Sequence, residues 1–454
     1  MRKRSAWFAA LLLMVLIWSC RIPEPSFSVP VEYHKLDNGL KIVLSPDDTA
    51  PIVVVAVYYN IGLRIEPKNR TGFAHLFEHM MFQGSKNLDK NEFFRLIQGQ
   101  GGVLNASTRF DFTNFFEILP SPKLETALWA EADRMKGLAI TQEKLTNQQG
   151  VVINEVKGAV LNRPYGGFPW LDMPQFANEN WYNAHNFYGD IRDLAAATIE
   201  DVQAFFNSYY APNNAALVVT GDFVPSEALS MIEKYFDDVK PVERPEFPNI
   251  AENRQEKEKI FSKNDPLANK PAMAFSYHMP ERFTPEFFAM GLLDQILLQG
   301  EDSLLYQALV KKEGLTGGVS GGINLLGNMF NYDGPMLWTA SLFYDSRTSS
   351  EKIMSAVDSV IEDVRTKPID REILDRARVK FRSALYDTIG GFYGFGRADL
   401  LACFALFDDN PAEINLLEEK LKAVTPELLL KTAQEYFRSA NRTVLTINPK
   451  EAGQ

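Results

Sequence analysis

Apolar runs and helical stripes alternate along this chain. Residues 52–59 read Ile-Val-Val-Val-Ala-Val-Tyr-Tyr, an unbroken β-branched and aromatic run that predicts a buried strand. Residues 40–44, 115–119 and 215–221 carry the same signature. Residues 71–82 predict a short helix, with Phe73, Leu76, Phe77, Met80, Met81 and Phe82 making it strongly apolar and therefore buried. Residues 141–161 space Leu145, Val152, Val156 and Val160 at helical intervals. A charged, Pro-containing stretch within residues 241–270 then predicts a boundary between two halves.

The second half carries a faint echo of the first. Met80-Met-Phe-Gln-Gly84 resembles Ile296-Leu-Leu-Gln-Gly300, each closing an apolar helix. Asn214-Ala-Ala-Leu-Val-Val219 resembles Asn441-Arg-Thr-Val-Leu-Thr446. The shift that carries Gly84 onto Gly300 carries His75, Glu78 and His79 onto Gly291, Asp294 and Gln295.

Those three residues are where the chemistry concentrates. In His75-Leu76-Phe77-Glu78-His79, the histidines are four apart and share one helix face. That spacing suits two imidazole nitrogens gripping one metal at roughly 2.0–2.1 Å. Glu78 lies on nearly the same face, where it could take a proton from water. Only five His occur in the chain, and a chance H-x-x-E-H is expected in on the order of a few chains per thousand. Polar groups on a buried helix also need a partner, and a metal is the simplest one. Two His require a third protein ligand, with one position left open for water. Glu155, within the second helical stretch, is a candidate.

The motif and its surroundings resemble the pitrilysin family of inverted-motif zinc peptidases, which includes insulin-degrading enzymes and mitochondrial processing peptidases. The resemblance runs from about Tyr33 to Asn448. It implies that Glu155, in Val151-Val-Ile-Asn-Glu155, is the third ligand beside His75 and His79, holding one Zn²⁺ per chain. It implies that Glu78 is the catalytic base of an endopeptidase acting on peptides or unfolded polypeptides. It also implies that Gly101-Gly-Val-Leu-Asn-Ala-Ser-Thr108 is an edge strand whose Asn105 and Ala106 align substrate as an added strand. The implied fold is α+β: two tandem related halves, each a mainly antiparallel sheet with helices on one side, forming half of a clamshell chamber.

Three positions depart from the family pattern. Gln148 stands where a carboxylate usually supports a ligand. In the second half, Val310 and Gly317 stand where members acting alone carry an Arg and a Tyr; Lys311 or Lys312 would replace the charge but not an Arg fork. The family includes heterodimers of a zinc-bearing and a zinc-less subunit, so the departures imply such a partner, with a homodimer as the alternative. They also leave open a non-catalytic peptide-binding or assembly subunit.

Composition adds compartment and limits. A net charge of −11 argues against nucleic acid as the main partner. Met1-Arg-Lys-Arg4, an apolar stretch from Phe8 to Trp18, and Ser19-Cys20 resemble a bacterial lipoprotein signal. The expected layout is a signal over 1–20, a tether over 21–32, a zinc-bearing domain over 33–243, a charged linker over 244–270 and a non-catalytic homologous domain over 271–450. Lipid on Cys20, with Arg21 rather than Asp after it, would hold the protein on the outer membrane facing the periplasm. Cys403, in an apolar run, then reads as a buried core thiol. Replacing Cys20 with Ala is expected to move the protein from the membrane fraction to the soluble fraction. Unchanged membrane attachment of that variant would remove the lipid anchor.

Overall fold

The computed structural model describes residues 27–449. Its first sheet contains β1 (Glu32–Lys35), β2 (Lys41–Pro46), β3 (Ile52–Tyr59), β4 (Val103–Thr108), β5 (Thr113–Pro120) and β6 (Ala215–Gly221), in the order β1-β2-β6-β3-β5-β4. The second contains β7 (Lys259–Asp265), β8 (Ala272–His278), β9 (Thr316–Ile323), β10 (Leu337–Tyr344) and β11 (Arg442–Pro449), in the order β7-β11-β8-β10-β9. With β1 set aside the two orders are the same. The parallel pair also falls at the same place, β2 with β6 and β7 with β11, and every other pairing is antiparallel. The faint sequence repeat is thus a repeat of topology.

Small details repeat too. Asn214 and Asn441 are both buried, and each donates from Nδ2 to the carbonyl of a Tyr closing the preceding helix, Tyr209 or Tyr436, at 2.8 Å. Each thereby satisfies a carbonyl that a helix end would leave unpaired.

The apolar strands are explained by burial on both faces. Along β3, Val53, Val55, Val57 and Tyr59 pack with Leu76, Phe77, Val152, Phe205 and Ile232 from the helices of the first half. Val54, Ala56 and Tyr58 point the other way, into a core shared with Leu400, Leu401 and Phe404 of the helix Phe395–Asp408. That helix belongs to the second half but lies across β6, β3 and β2. Polar contacts pin it there: Tyr58 Oη donates to Asp399 Oδ1 at 2.8 Å, and Arg397 pairs with Asp47 at 3.0 Å. Lys41 Nζ donates to the carbonyls of Ala405 and Leu406 at the helix end, where a cation suits the dipole.

The covering is reciprocal. In β8, Met273, Phe275 and Tyr277 face the helices of the second half, while Ala272 and Ala274 pack with Met173 and Ala177 from the first-half helix Asp172–Ala177. Cys403 is buried and free, as its apolar surroundings implied. Among the described residues no helix is long and apolar enough to cross a membrane.

Two expected boundaries shift. The stretch read as linker over 244–270 includes β7, whose parallel pairing with β11 makes it the outer strand of the second sheet. Its charges serve edge protection rather than linkage. In the stretch read as tether, residues 27–31 are docked on the second half. Val29 N–H donates to Asn415 Oδ1 at 2.7 Å, Asn415 Nδ2 returns a bond to Val29 O at 2.9 Å, and Phe27 stacks on Tyr386. The signal and Cys20 lie outside the described residues.

Asp294, the counterpart of Glu78, sits buried beneath the second sheet and accepts from Trp338 Nε1 at 2.7 Å. Burial pushes its carboxyl up to about 7. An unfolded Asp releases its proton near 4, so the native state loses stability as pH rises from about 4 to 7 and then levels off. Asp294→Asn stays neutral and can still accept from Trp338. It is expected to be more stable than the native chain by roughly 2–4 kcal/mol at pH 8, with that gain gone at pH 4. Urea midpoints at the two pH values measure this. A difference that does not change with pH would show that Asp294 does not titrate in this range.

Candidate metal centre

The helix Phe73–Met80 that carries the two histidines is held at its start by a buried acid. Glu66, fully buried, accepts from Gly72 N–H at 2.8 Å and Ala74 N–H at 2.7 Å. A carboxylate there satisfies otherwise unpaired donors and meets the positive end of the helix dipole. Gly72 has φ 86°, which favours glycine. The backbone of Gly189 passes so close that a Cβ on Gly189 would lie 2.7 Å from Gly72 Cα. This contact brings the loop that carries Tyr188 against the motif helix.

Glu155 arrives on the helix Gln142–Val156, capped by the Thr141 side chain. The three side chains converge. His75 Nε2 and His79 Nε2 are 3.3 Å apart. Glu155 Oε1 is 3.4 Å from His75 Nε2, and Glu155 Oε2 is 3.5 Å from His79 Nε2. Tetrahedral ligands about 2.0–2.1 Å from one ion are themselves roughly 3.3–3.4 Å apart. The two imidazoles stand at that separation, and the Glu155 carboxylate spans them with one oxygen near each; taken one atom per residue, the three donors lie within 4.8 Å of one another, the one such group among the described residues. Two imidazole nitrogens and a carboxylate are also the donor chemistry that zinc takes.

The electrostatics fit. Burial, opposed by the Glu155 charge and aided by His79, brings His75 down to about 4, so it is neutral at pH 7, as a metal-binding imidazole must be. Glu155 is held down at about 2, mainly by its hydrogen bond with His79. For His79, burial opposes protonation, but Glu155, Glu78 and the Gln148 side chain outweigh it and raise the value. Gln148 is buried against His79 and so occupies the supporting position as a neutral amide. Glu78 is mostly buried, which raises its carboxyl, and it accepts from Thr108 Oγ1 at 2.6 Å. That bond ties the candidate base to the strand β4.

Three supporting residues carried no signal in the sequence: Glu66, Thr108 and Tyr188. Tyr188 Oη donates to Glu155 Oε1 at 2.9 Å, its ring lies 5.5 Å from that of His75, and Trp170 backs it at 5.5 Å. The window around Tyr188 has no motif; the Gly72–Gly189 approach, with the bond from Asp190 N–H to Thr71 Oγ1 at 2.9 Å, brings it to the candidate metal centre.

The remaining expected positions lie elsewhere. Asn105 and Ala106 are in β4, at the open edge of the first sheet beside the motif helix. Ala106 faces the helix side and Asn105 is exposed. Lys311 and Lys312 are exposed and pair with Glu301 and Glu313. Gly317 lies in β9 and offers no side-chain donor.

Comparison with known proteins follows this division. The family description "Insulinase (Peptidase family M16)" matches residues 41–164, which hold all four of His75, Glu78, His79 and Glu155. The description "Peptidase M16 inactive domain" matches residues 196–381, which hold none of them. The zinc protease PqqE of Helicobacter pylori is 23% identical over 98% of this chain and 99% of its own length. A crystal structure of a protease from Helicobacter pylori superposes with TM-score 0.84 at 22% identity, covering 93% of this chain and 100% of that one. The periplasmic protease PqqL from Escherichia coli superposes with TM-score 0.71 at 17% identity; this chain is 93% covered and spans 48% of PqqL.

Tyr188→Phe removes one hydrogen bond to Glu155 and leaves the ring packing intact. It is expected to weaken zinc binding about tenfold, and Glu155→Ala is expected to weaken it further. Competition titration against a chromogenic chelator measures both. Unchanged affinity in Glu155→Ala would remove Glu155 from the ligand set, and unchanged affinity in Tyr188→Phe would remove the hydroxyl as its support.

Proposed function

We propose, on the premise that the chain belongs to the insulinase (M16) family, that it is a zinc-dependent endopeptidase acting on peptides or unfolded polypeptides. One observation carries the reading: a mostly buried carboxylate, Glu78, stands beside the His75–His79–Glu155 group. His75, His79 and Glu155 would hold the ion. Zinc supplies Lewis acidity, polarising a carbonyl and lowering the pKa of water towards about 7.

The chain's own residues do the rest. Glu78, poised upward by burial, takes the proton of the attacking water and passes it to the leaving amine. Thr108 holds Glu78 in place from β4. The open edge of β4, at Asn105 and Ala106, pairs with an extended peptide and lays the scissile bond beside the metal centre.

A partner fits this reading. The chain spans about half of PqqL, so a second chain of similar size would complete an assembly of that length. We assign this chain the zinc-bearing role, opposite a zinc-less relative that supplies the donors missing at Val310 and Gly317, with a homodimer as the alternative. The two halves of this chain would form one side of a closed chamber. The N-terminal signal-like sequence supports a location in the bacterial envelope for the assembly, in keeping with the periplasmic description of PqqL. The absent Arg/Tyr pair is also the observation that favours a peptide-binding subunit without activity.

Glu78→Gln decides between the two readings. With zinc confirmed on each sample, the variant is expected to keep its metal and lose turnover of unstructured peptides by at least a hundredfold. Turnover that rises when a relative lacking the motif is added reports the partner. Zinc-loaded native protein without turnover, alone and with that relative, leaves the binding reading.

A further inference from the structure

Between the helices Arg371–Gly390 and Phe395–Asp408 the chain makes a tight turn. Phe392, Tyr393 and Gly394 have φ of 46°, 56° and 85° in succession. Two consecutive aromatic residues in the left-handed region are strained, at a cost of about 1–3 kcal/mol each, and such strain persists only where the surroundings enforce it. Here the backbone is tied down. Gly391 N–H donates to Thr388 O, and Gly394 and Gly396 N–H both donate to Gly391 O. Phe395 stacks on Phe116 at 3.8 Å, and Arg397 is anchored on Asp47. The result is a rigid turn presenting two aromatic side chains to solvent, Phe392 at 56% and Tyr393 at 69% exposure. Apart from the edge of Phe392 that meets Phe116 and Phe395, their rings are turned to solvent.

Their position gives them a use. Phe392 packs edge-on against Phe116 of β5, and Phe116 is the cross-strand partner of Asn105 in β4. Side chains alternate along a strand, so Val103, Asn105 and Ser107 share the face of Phe116, while Ala106 and Thr108 face the motif helix and Glu78. Val103 on the turn side is itself 46% exposed. A peptide added to the β4 edge would send alternate side chains to the metal side and to this aromatic side.

We propose that Phe392 and Tyr393 form a subsite on the face of the β4 edge away from the metal, selecting apolar or aromatic side chains at every second position of a bound peptide. The inference rests on the peptide-binding reading of that edge. Rigid, exposed aromatic groups suit such contacts because little side-chain freedom is lost on binding.

The test uses a peptide of about a dozen residues of Ala, Ser and Lys, with a single Phe moved one position at a time. Positions are counted from the cleaved bond, located by mass spectrometry. Equilibrium binding to zinc-loaded Glu78→Gln protein is measured in parallel by fluorescence anisotropy. In the native turn, Phe is expected to tighten binding about tenfold at alternate positions. The double variant Phe392→Ala/Tyr393→Ala loses that factor at those positions alone, in KM and Kd and not in kcat, and Phe392→Leu/Tyr393→Leu recovers most of it. Both residues are exposed, so folding is preserved. Equal loss at every position, or no loss at any, overturns the subsite. Binding with this alternation but without turnover by the native chain, both alone and with the relative lacking the motif, would refute the peptidase reading and leave the subsite standing. Absence of binding by every peptide refutes the subsite.

Discussion

The central strands of each sheet are apolar on both faces, and both faces must be covered. Everything else in the structure follows from how this is met. Helices of the first half cover one face of the first sheet, and the helix Phe395–Asp408 of the second half covers the other. The helix Asp172–Ala177 returns the favour on the second sheet. Each half therefore buries an apolar face of the other. The seam is closed by charge as well. Arg64 and Asp111 are a buried pair at 2.6 Å, and Asp111 Oδ2 accepts the backbone N–H of Asp333 in the second half at 2.9 Å. Breaking such a pair from one side leaves an uncompensated buried charge.

The metal centre occupies the one face of the first half where two helices and an open strand edge meet. Two imidazole nitrogens 3.3 Å apart face the two oxygens of one carboxylate, although these groups have no covalent reason to gather there. Their support comes from neutral groups. Gln148 lies against His79, and the Tyr188 hydroxyl bonds Glu155. A neutral amide at position 148 would leave less negative charge around a bound cation than a carboxylate, and the hydroxyl fixes one oxygen of Glu155. Glu78 is treated differently: burial raises its carboxyl and a single hydroxyl from Thr108 steadies it, which suits the base role proposed for it.

The second half shows what the same framework becomes without ligands. Asp294 keeps an acid at the position of Glu78, but Trp338 bonds it, and His75 and His79 are replaced by Gly291 and Gln295. The acid is locked into the core rather than presented to a substrate. The second half instead brings the turn at Phe392 and Tyr393 to the first sheet, where Phe392 meets Phe116 of β5.

Much of this was legible in the chain. The strand over residues 52–59 and the helix carrying the motif were readable because strand and helix periodicities are local, and the donor pair His75 and His79 because four residues make one turn. Even the repeat left a trace at Gly84 and Gly300. Charge was the misleading signal: β7 read as linker because an edge strand and a linker are both solvated, and pairing with β11 is not written in either segment. Glu155 could be named only through family resemblance, since a lone acid on a helix has no local mark of ligation. Glu66, Thr108 and Tyr188 were invisible for a deeper reason. Each acts through a single contact with a segment far away in sequence, and such contacts exist only once the sheets are covered and the backbones of Gly72 and Gly189 meet. The sequence by itself determined the periodic elements and the donor pair; tertiary packing decided which acids and hydroxyls stand beside that pair, because burial and distance are properties of the folded chain.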